Sequence, residues 1–459
     1  MKFTPLPCSL LLTILFPLSA SADKVRNVLL IVSDDLKASA LGCYGNAICA
    51  TPNLDRLAAR GMVFERAYCQ GTWCAPSRAS FMHGRYHGKG GQNMGSFFRS
   101  QGLHSARVGK IYHMRVPGDI IAGTDGEDIP SSWDEKFNTR GHEAHTPGDY
   151  ACLNLNLFTR EQEGRQSTAM PHRMFVSVKA DGKGSDQPDW EAAEKTVALL
   201  RKHREKPFFL ATGFVRPHYP HVAPASYFEK YPFANLPLPP VPEDDWKDIP
   251  KAGLSKSTSE KTGIAKWPDN QRRMWSAYYA TVTFMDAQLG KILDELDRLK
   301  LTDSTAIVFI SDHGYHLGEH QFWQKSNLHE EVTRVPLIIS VPGLEPGRTR
   351  SLAELVDVYP TLCSLLNLPV PDTVQGKDLS PVLGDPSATV RRAALSLQGG
   401  DHGLRSDQWA YLRYRGGGEE LYDMKNDPGQ FTNLAKDPSH QTQRKAMAGL
   451  LQECLRDLK

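Results

Sequence analysis

The stretch NVLLIVSDD, residues 27 to 35, is an unbroken apolar run that stops at two carboxylates. A strand with one wet face alternates apolar and polar residues. A continuous run instead suits a strand buried on both faces, as in parallel sheets. PFFLATGFV (207–215), TAIVFISD (305–312) and VPLIISVPG (335–343) have the same character. Residues 275–300 carry Tyr279, Val282, Leu289, Ile292 and Leu296 at helical spacing, which predicts an amphipathic helix. Thr51, Pro52 and Gly61 bracket a shorter one, with a capping hydroxyl, a first-turn proline and a closing glycine. Strands alternating with helices predict an α/β fold with a mostly parallel central sheet and helices on both faces.

The segment 234–270, rich in Pro, Lys, Asp and Ser, reads as a surface excursion. A break at GDPSAT (384–389) sets off a tail. There WAYLRYRGGGEELYDM holds two strand-like runs around a glycine turn, and a helical segment follows. This predicts a main domain over 23–385 and a small antiparallel α+β subdomain over 386–459. A chain of 459 residues is long enough for both.

Residues 1–22 have the form of an export signal: Lys2, an apolar run over 10–18, and Ala20-Ser21-Ala22 as a cleavage site. That run is too short to span a bilayer, and no later one is long enough, so no membrane span is expected. No Asn-x-Ser/Thr sequon occurs, which favours bacterial export to the periplasm or medium over a glycosylated secretory route. Seven cysteines follow the leader, an odd number that leaves at least one unpaired. Cys43 and Cys49 are close enough for a small bridged loop, a point the sequence leaves open. There is no CxxC pair to suggest structural zinc. A formal charge of +2 gives no general attraction for nucleic acid.

Asp34 and Asp35 close one buried strand, and Asp312 and His313 close another. Ligands of open α/β sheets bind beyond the carboxyl ends of the strands. Three carboxylates gathered there repel one another unless a cation sits among them, so a hard divalent metal is expected. A single such pair would read as a helix cap or a solvated turn; two at equivalent strand ends favour the metal. Lys110 and His113 in RVGKIYH, His218 in VRPHYPH and Lys325 in EHQFWQKSN each follow or flank apolar segments. Singly they read as surface or satisfied residues. Together with a metal they make a pocket for an oxyanion with a proton donor for a leaving group.

The segment CAPSRASFMHGR (74–85) resembles the Cys-x-Pro-Ser-Arg signature of the sulfatase family, which has the alkaline-phosphatase-like fold. The Asp-Asp pair, Gly-Lys then His, Pro-His, Asp-His-Gly and the later Lys follow in the family's order. LVDVYPTLCSLLNLP and ELYDMKNDPGQFTNLA extend the likeness over nearly the whole mature chain. The resemblance implies that Cys74 is oxidised to formylglycine (3-oxoalanine) by a formylglycine-generating or sulfatase-maturating enzyme. Asp34, Asp35, Asp312, His313 and the modified Cys74 would bind one divalent metal, with calcium expected and magnesium or manganese as alternatives. Arg78 would orient the aldehyde hydrate, and Lys110, Lys325 and His218 would hold the sulfate. His218 would protonate the leaving oxygen, and His113 would act as base. A hydrate supplies one hydroxyl to attack sulfur and a second whose deprotonation expels sulfate, which serine or cysteine lacks.

The two residues between Lys110 and His113 resemble the iduronate-2-sulfatase branch, as does His313. The short segment 86–98 lacks that branch's Arg-Pro-Asp-Thr-rich stretch. The expected substrate is therefore a sulfated saccharide, with 2-O-sulfated uronate as one form. Two other readings stay open: a phosphoester or phosphonate hydrolase on the same fold, and a non-catalytic sulfated-glycan-binding protein.

Overall fold

The computed structural model describes residues 25–88, 90–165, 169 and 171–458; the expected leader lies outside them. The central sheet has nine strands. They are β1 (Asn27–Asp34), β2 (Met62–Tyr68), β3 (His104–Gly109), β4 (Glu135–Phe137), β5 (Phe208–Pro217), β6 (Thr305–Ser311), β7 (Arg334–Val335), β8 (Leu337–Ser340) and β9 (Gly347–Glu354). Their order is β7-β2-β8-β6-β1-β5-β3-β4, with β9 on β2. The stretch from β6 to β4 is parallel, and β8 runs antiparallel to both β6 and β2. The apolar runs thus marked buried strands correctly, but an unbroken run carries no direction. No long crossover helix lies between β6 and β8 to bring the chain back for a parallel pairing.

Every residue of β1 is buried, and alternate residues feed two cores. Leu29 and Ile31 face the layer built on helices Pro188–His203 and Pro268–Arg298. Val28, Leu30 and Val32 face helices Cys74–His83, Met94–Ser100 and Val358–Leu365. The long helix starts at Pro268, seven residues before the apolar periodicity begins, because proline at the first helical position resembles loop composition in sequence. The 234–270 excursion is largely short turns, yet Ile249 and Ile264 bury against the body.

The tail forms a four-stranded antiparallel meander, Ala393–Gln398, Asp401–Ser406, Trp409–Arg413 and Glu419–Asp423, where the sequence pattern reveals two strands. Helix Gln441–Arg456 covers one face through Met447 and Leu451. The meander is tied to the chain just before Cys74: Ser396 Oγ donates to the Cys69 carbonyl at 2.6 Å and Leu397 N to the Gln70 carbonyl at 3.0 Å. A further small sheet, of Gly148–Cys152, Leu157–Thr159, Val176–Ala180 and His221–Pro224, has no counterpart in the sequence reading; its strands are short. All seven described cysteines are free thiols, Cys43 and Cys49 included. Among the described residues no helix is long and apolar enough to cross a membrane.

His221 is fully buried, and among the described residues its ring has no side-chain partner, only the nearby Pro217 backbone. Burial, with Arg216 nearby, pushes its pKa down to about 3. The folded state therefore holds neutral imidazole, whereas the unfolded chain binds a proton below about pH 6.5. Its contribution is intact above that pH and is lost as the pH falls towards 3, by up to about 1.4 kcal/mol per pH unit. Urea unfolding at pH 4.5 and 7.5 should show a smaller acid penalty in His221→Phe than in the wild type. Equal penalties would contradict this.

Candidate active site

The carboxyl ends of β1 and β6 deliver their acids side by side. Asp35 sits at φ 63°, a left-handed conformation that Asp tolerates better than most residues. Tyr278 of the long helix holds this turn by donating to the Asp35 carbonyl at 2.7 Å and accepting from Lys37 N at 2.9 Å. Lys37, itself buried, pairs with Glu319 and with Glu331, at 2.6 Å to the latter. This ties the turn to the segment that carries Lys325.

Cys74 opens its helix and is only 2% exposed as a residue. The sulfur lies 3.3 Å from Asp34 Oδ1, 3.3 Å from His313 Nε2 and 3.2 Å from Lys325 Nζ. Burial, with Asp34 beside it, pushes this thiol well above its usual pKa. The N-terminal end of the Cys74 helix favours negative charge at this point. Arg78, one turn on, pairs with Asp312 Oδ2 at 2.8 Å and Asp34 Oδ1 at 3.2 Å, and donates to the Lys110 and Ile111 carbonyls. Lys110 pairs with Asp34 and Lys325 with Asp35. Gly213 of β5 makes room for Lys110, since a Cβ there would come within 2.1 Å of the Lys110 carbonyl oxygen.

Burial alone would raise the Asp34 carboxyl, but Lys110 and Arg78 outweigh it and hold Asp34 well below the usual range. Asp35 goes the other way, raised by burial and by its carboxylate neighbours Asp34 and Asp312. Burial would depress Lys325, yet Asp35 holds its ammonium well above normal. His218 is buried, its Nδ1 on the Tyr219 carbonyl and its Nε2 3.9 Å from Asp35 Oδ2. Burial and Lys325 depress it well below an ordinary histidine. Burial and Lys110 push His113 down to about 4, so it is neutral at neutral pH.

One donor atom from each of Asp34, Asp35, Cys74 and His313 lies within 4.8 Å of the others. His313 Nδ1 lies 2.9 Å from the Gly314 carbonyl; donation there leaves Nε2 as a lone pair facing the cluster. Asp35 Oδ2 is buried without a hydrogen-bond partner. Two carboxylates, one of them with an orphaned oxygen, and an imidazole lone pair fit a divalent cation. Asp312 stands at the edge of this set. Its Oδ1 accepts from Asp35 N and His313 N, and its Oδ2, paired with Arg78, lies 3.6 Å from His313 Nε2.

The pocket thus gathers Asp34, Asp35, Cys74, Arg78, Lys110, His218, Asp312, His313 and Lys325, while His113 stands beside them against Trp73, ring centroids 6.1 Å apart. The sequence reading missed Trp73, 47% exposed and against His113, and Tyr219, whose hydroxyl accepts from Gln324 at 3.0 Å. For Trp73 a signal existed: a large aromatic directly before a candidate reactive group.

The family model described as Sulfatase matches residues 26–368, and that for the C-terminal part of N-sulphoglucosamine sulphohydrolase matches 318–457. Iduronate 2-sulfatase of Mus musculus is 32% identical over 405 residues, spanning 76% of this chain and 70% of that protein. The phosphonate monoester hydrolase of Agrobacterium radiobacter superposes with a TM-score of 0.76 at 20% identity, over 95% of this chain and 96% of that one. A structure solved with its substrate D-glucosamine-2-N,6-O-disulfate gives 0.73 at 20% identity, over 95% of this chain and 98% of that one.

Proposed function

Because the chain belongs to the sulfatase family of sulfuric ester hydrolases, we propose that it is an exported enzyme that removes an O-sulfate from a sulfated saccharide. The observation that carries this reading is the convergence of Asp34, Asp35, Cys74 and His313 on one point, with Lys110, Lys325 and Arg78 in contact. A divalent ion, calcium in this reading, held by Asp34, Asp35, Asp312, His313 and the group at 74, would act as a Lewis acid towards the sulfate ester. Formylglycine at 74, made from Cys74 by a maturating enzyme, would supply a hydrate with one hydroxyl to attack sulfur and a second to expel sulfate.

The remaining roles belong to this chain's own side chains. Three carboxylates, Asp34, Asp35 and Asp312, face three cations, Arg78, Lys110 and Lys325. Adding a divalent ion makes the pocket net positive, matched to an anionic ester. Lys110 and Lys325 take the sulfate oxygens, and Arg78 fixes Asp34 and Asp312. His218 is held neutral by burial and its cationic neighbours; an arriving sulfate offsets those cations and raises its proton affinity, so it becomes a donor to the leaving oxygen only with substrate in place. His113, neutral at working pH, is suited to accept a proton.

The phosphonate hydrolase reading shares the fold and is the runner-up. Turnover of matched sulfate and phosphonate esters ranks the two, with sulfate expected ahead. Mass spectrometry of the Cys74 peptide from the native host should find the aldehyde. Intact thiol alone, together with no hydrolysis of any sulfate ester, would falsify the reading. Calcium at about 100 times its Kd should stabilise the chelated protein by about 2.7 kcal/mol. Asp35→Asn should lose most of that gain; a melting temperature indifferent to calcium would refute the metal assignment.

A further inference from the structure

Tyr219 is 4% exposed and two cations lie over its ring: Lys325 Nζ and Arg173 Cζ are each 5.7 Å from the ring centroid. The two cations are therefore no more than about 11 Å apart. Lys325 on that ring is paired with Asp35, and His218, next to Tyr219 in the chain, has its Nε2 3.9 Å from the same acid, so Arg173 lies one aromatic ring away from the site. Arg173 belongs to the short turn His172–Phe175. The buried side chains of Met174 and Phe175 anchor that turn, the latter edge-on to Trp323 at 5.2 Å. The guanidinium is thus presented from a fixed backbone.

What sets Arg173 apart is its lack of a counter-ion. Arg78, Lys110 and Lys325 are each paired with a carboxylate. Among the described residues no carboxylate lies within ion-pair distance of Arg173, and its Nε is buried without a hydrogen-bond partner. Burying such a donor unpaired is costly, and a ligand that pairs it recovers the cost. A guanidinium fork matches a planar or tetrahedral oxyanion in bidentate fashion.

We infer that Arg173 is a specificity residue that binds a second anionic group, a carboxylate or another sulfate, on the sugar whose sulfate is cleaved. This rests on the sulfatase reading above. Two anionic substituents of one pyranose fall within the reach between Lys325 and Arg173, both of which lie against Tyr219. Binding at Arg173 is the same in ground and transition states, so its loss raises KM and leaves kcat in place.

The test compares wild type, Arg173→Ala and Arg173→Lys, each matched for formylglycine content. The substrates are a singly charged aryl sulfate, a sulfated uronic acid and a disulfated glucosamine. Arg173→Ala should lower kcat/KM roughly 10- to 100-fold on the doubly charged sugars, through KM, and leave the aryl sulfate unchanged. Arg173→Lys should recover part of the loss. A drop confined to the uronate names the carboxylate as the group read; a drop confined to the disulfate names the sulfate. Equal effects on all three substrates, or none, overturn the inference while wild-type turnover still upholds the sulfatase. If wild type hydrolyses none of them, the functional reading fails first.

Discussion

Cys74→Ala is expected to lose turnover by on the order of 10⁴-fold or more, because the proposed mechanism draws its nucleophile from position 74 alone. The substitution removes one small, 2%-exposed side chain and leaves Asp34, Asp35 and His313 in place. Stability should fall by about 1 kcal/mol, so the protein remains folded when assayed. Cys74→Ser keeps the size and a hydroxyl but has no second one, and it should be nearly as inactive. Steady-state rates on an aryl sulfate, paired with thermal melts, separate loss of chemistry from loss of fold. A Cys74→Ala protein within tenfold of wild type would remove position 74 from the reaction.

Arg78→Met should be the most damaging change to the pocket's architecture. Arg78, Asp34 and Asp312 are all fully buried, and this guanidinium links both acids while donating to two backbone carbonyls. Removing one partner of a buried ion pair leaves uncompensated charge and costs about 3–5 kcal/mol. Asp312 should then drift from His313, and kcat should fall by at least about 100-fold. Arg78→Lys restores the charge but not the fork, so it should regain stability more than rate. Urea unfolding together with kcat measures both. A loss under about 1 kcal/mol with normal kcat would show that the link is dispensable.

The acids were legible in the sequence because they end runs that could only be buried strands, and strand ends are where such sheets place ligands. Cys74 and Arg78 were legible through one compact motif. Lys110, His113, His218 and Lys325 were not legible from spacing; their order along the chain beside a recognised motif singled them out, and the fold brings them together. The direction of Leu337–Ser340 was invisible, since an apolar run is the same in either direction. The small sheet through Gly148–Cys152 was missed because strands of three to five residues carry too little pattern. Arg173 had no signal at all: it is an ordinary arginine in a turn, distinguished only by what lies near it and by what does not.

The distance along the chain between the pocket's walls sets a clock. His313 touches the Cys74 sulfur across 239 residues of sequence. At roughly 5–20 residues per second, a ribosome needs on the order of 10–50 s to make that interval. Until β6 arrives to lie beside β1, Cys74 has no lid. Once the sheet closes, Cys74 is buried, with 2% of its surface exposed. The proposed conversion of Cys74 to an aldehyde therefore calls for a chain that has not finished folding, before that sulfur is buried.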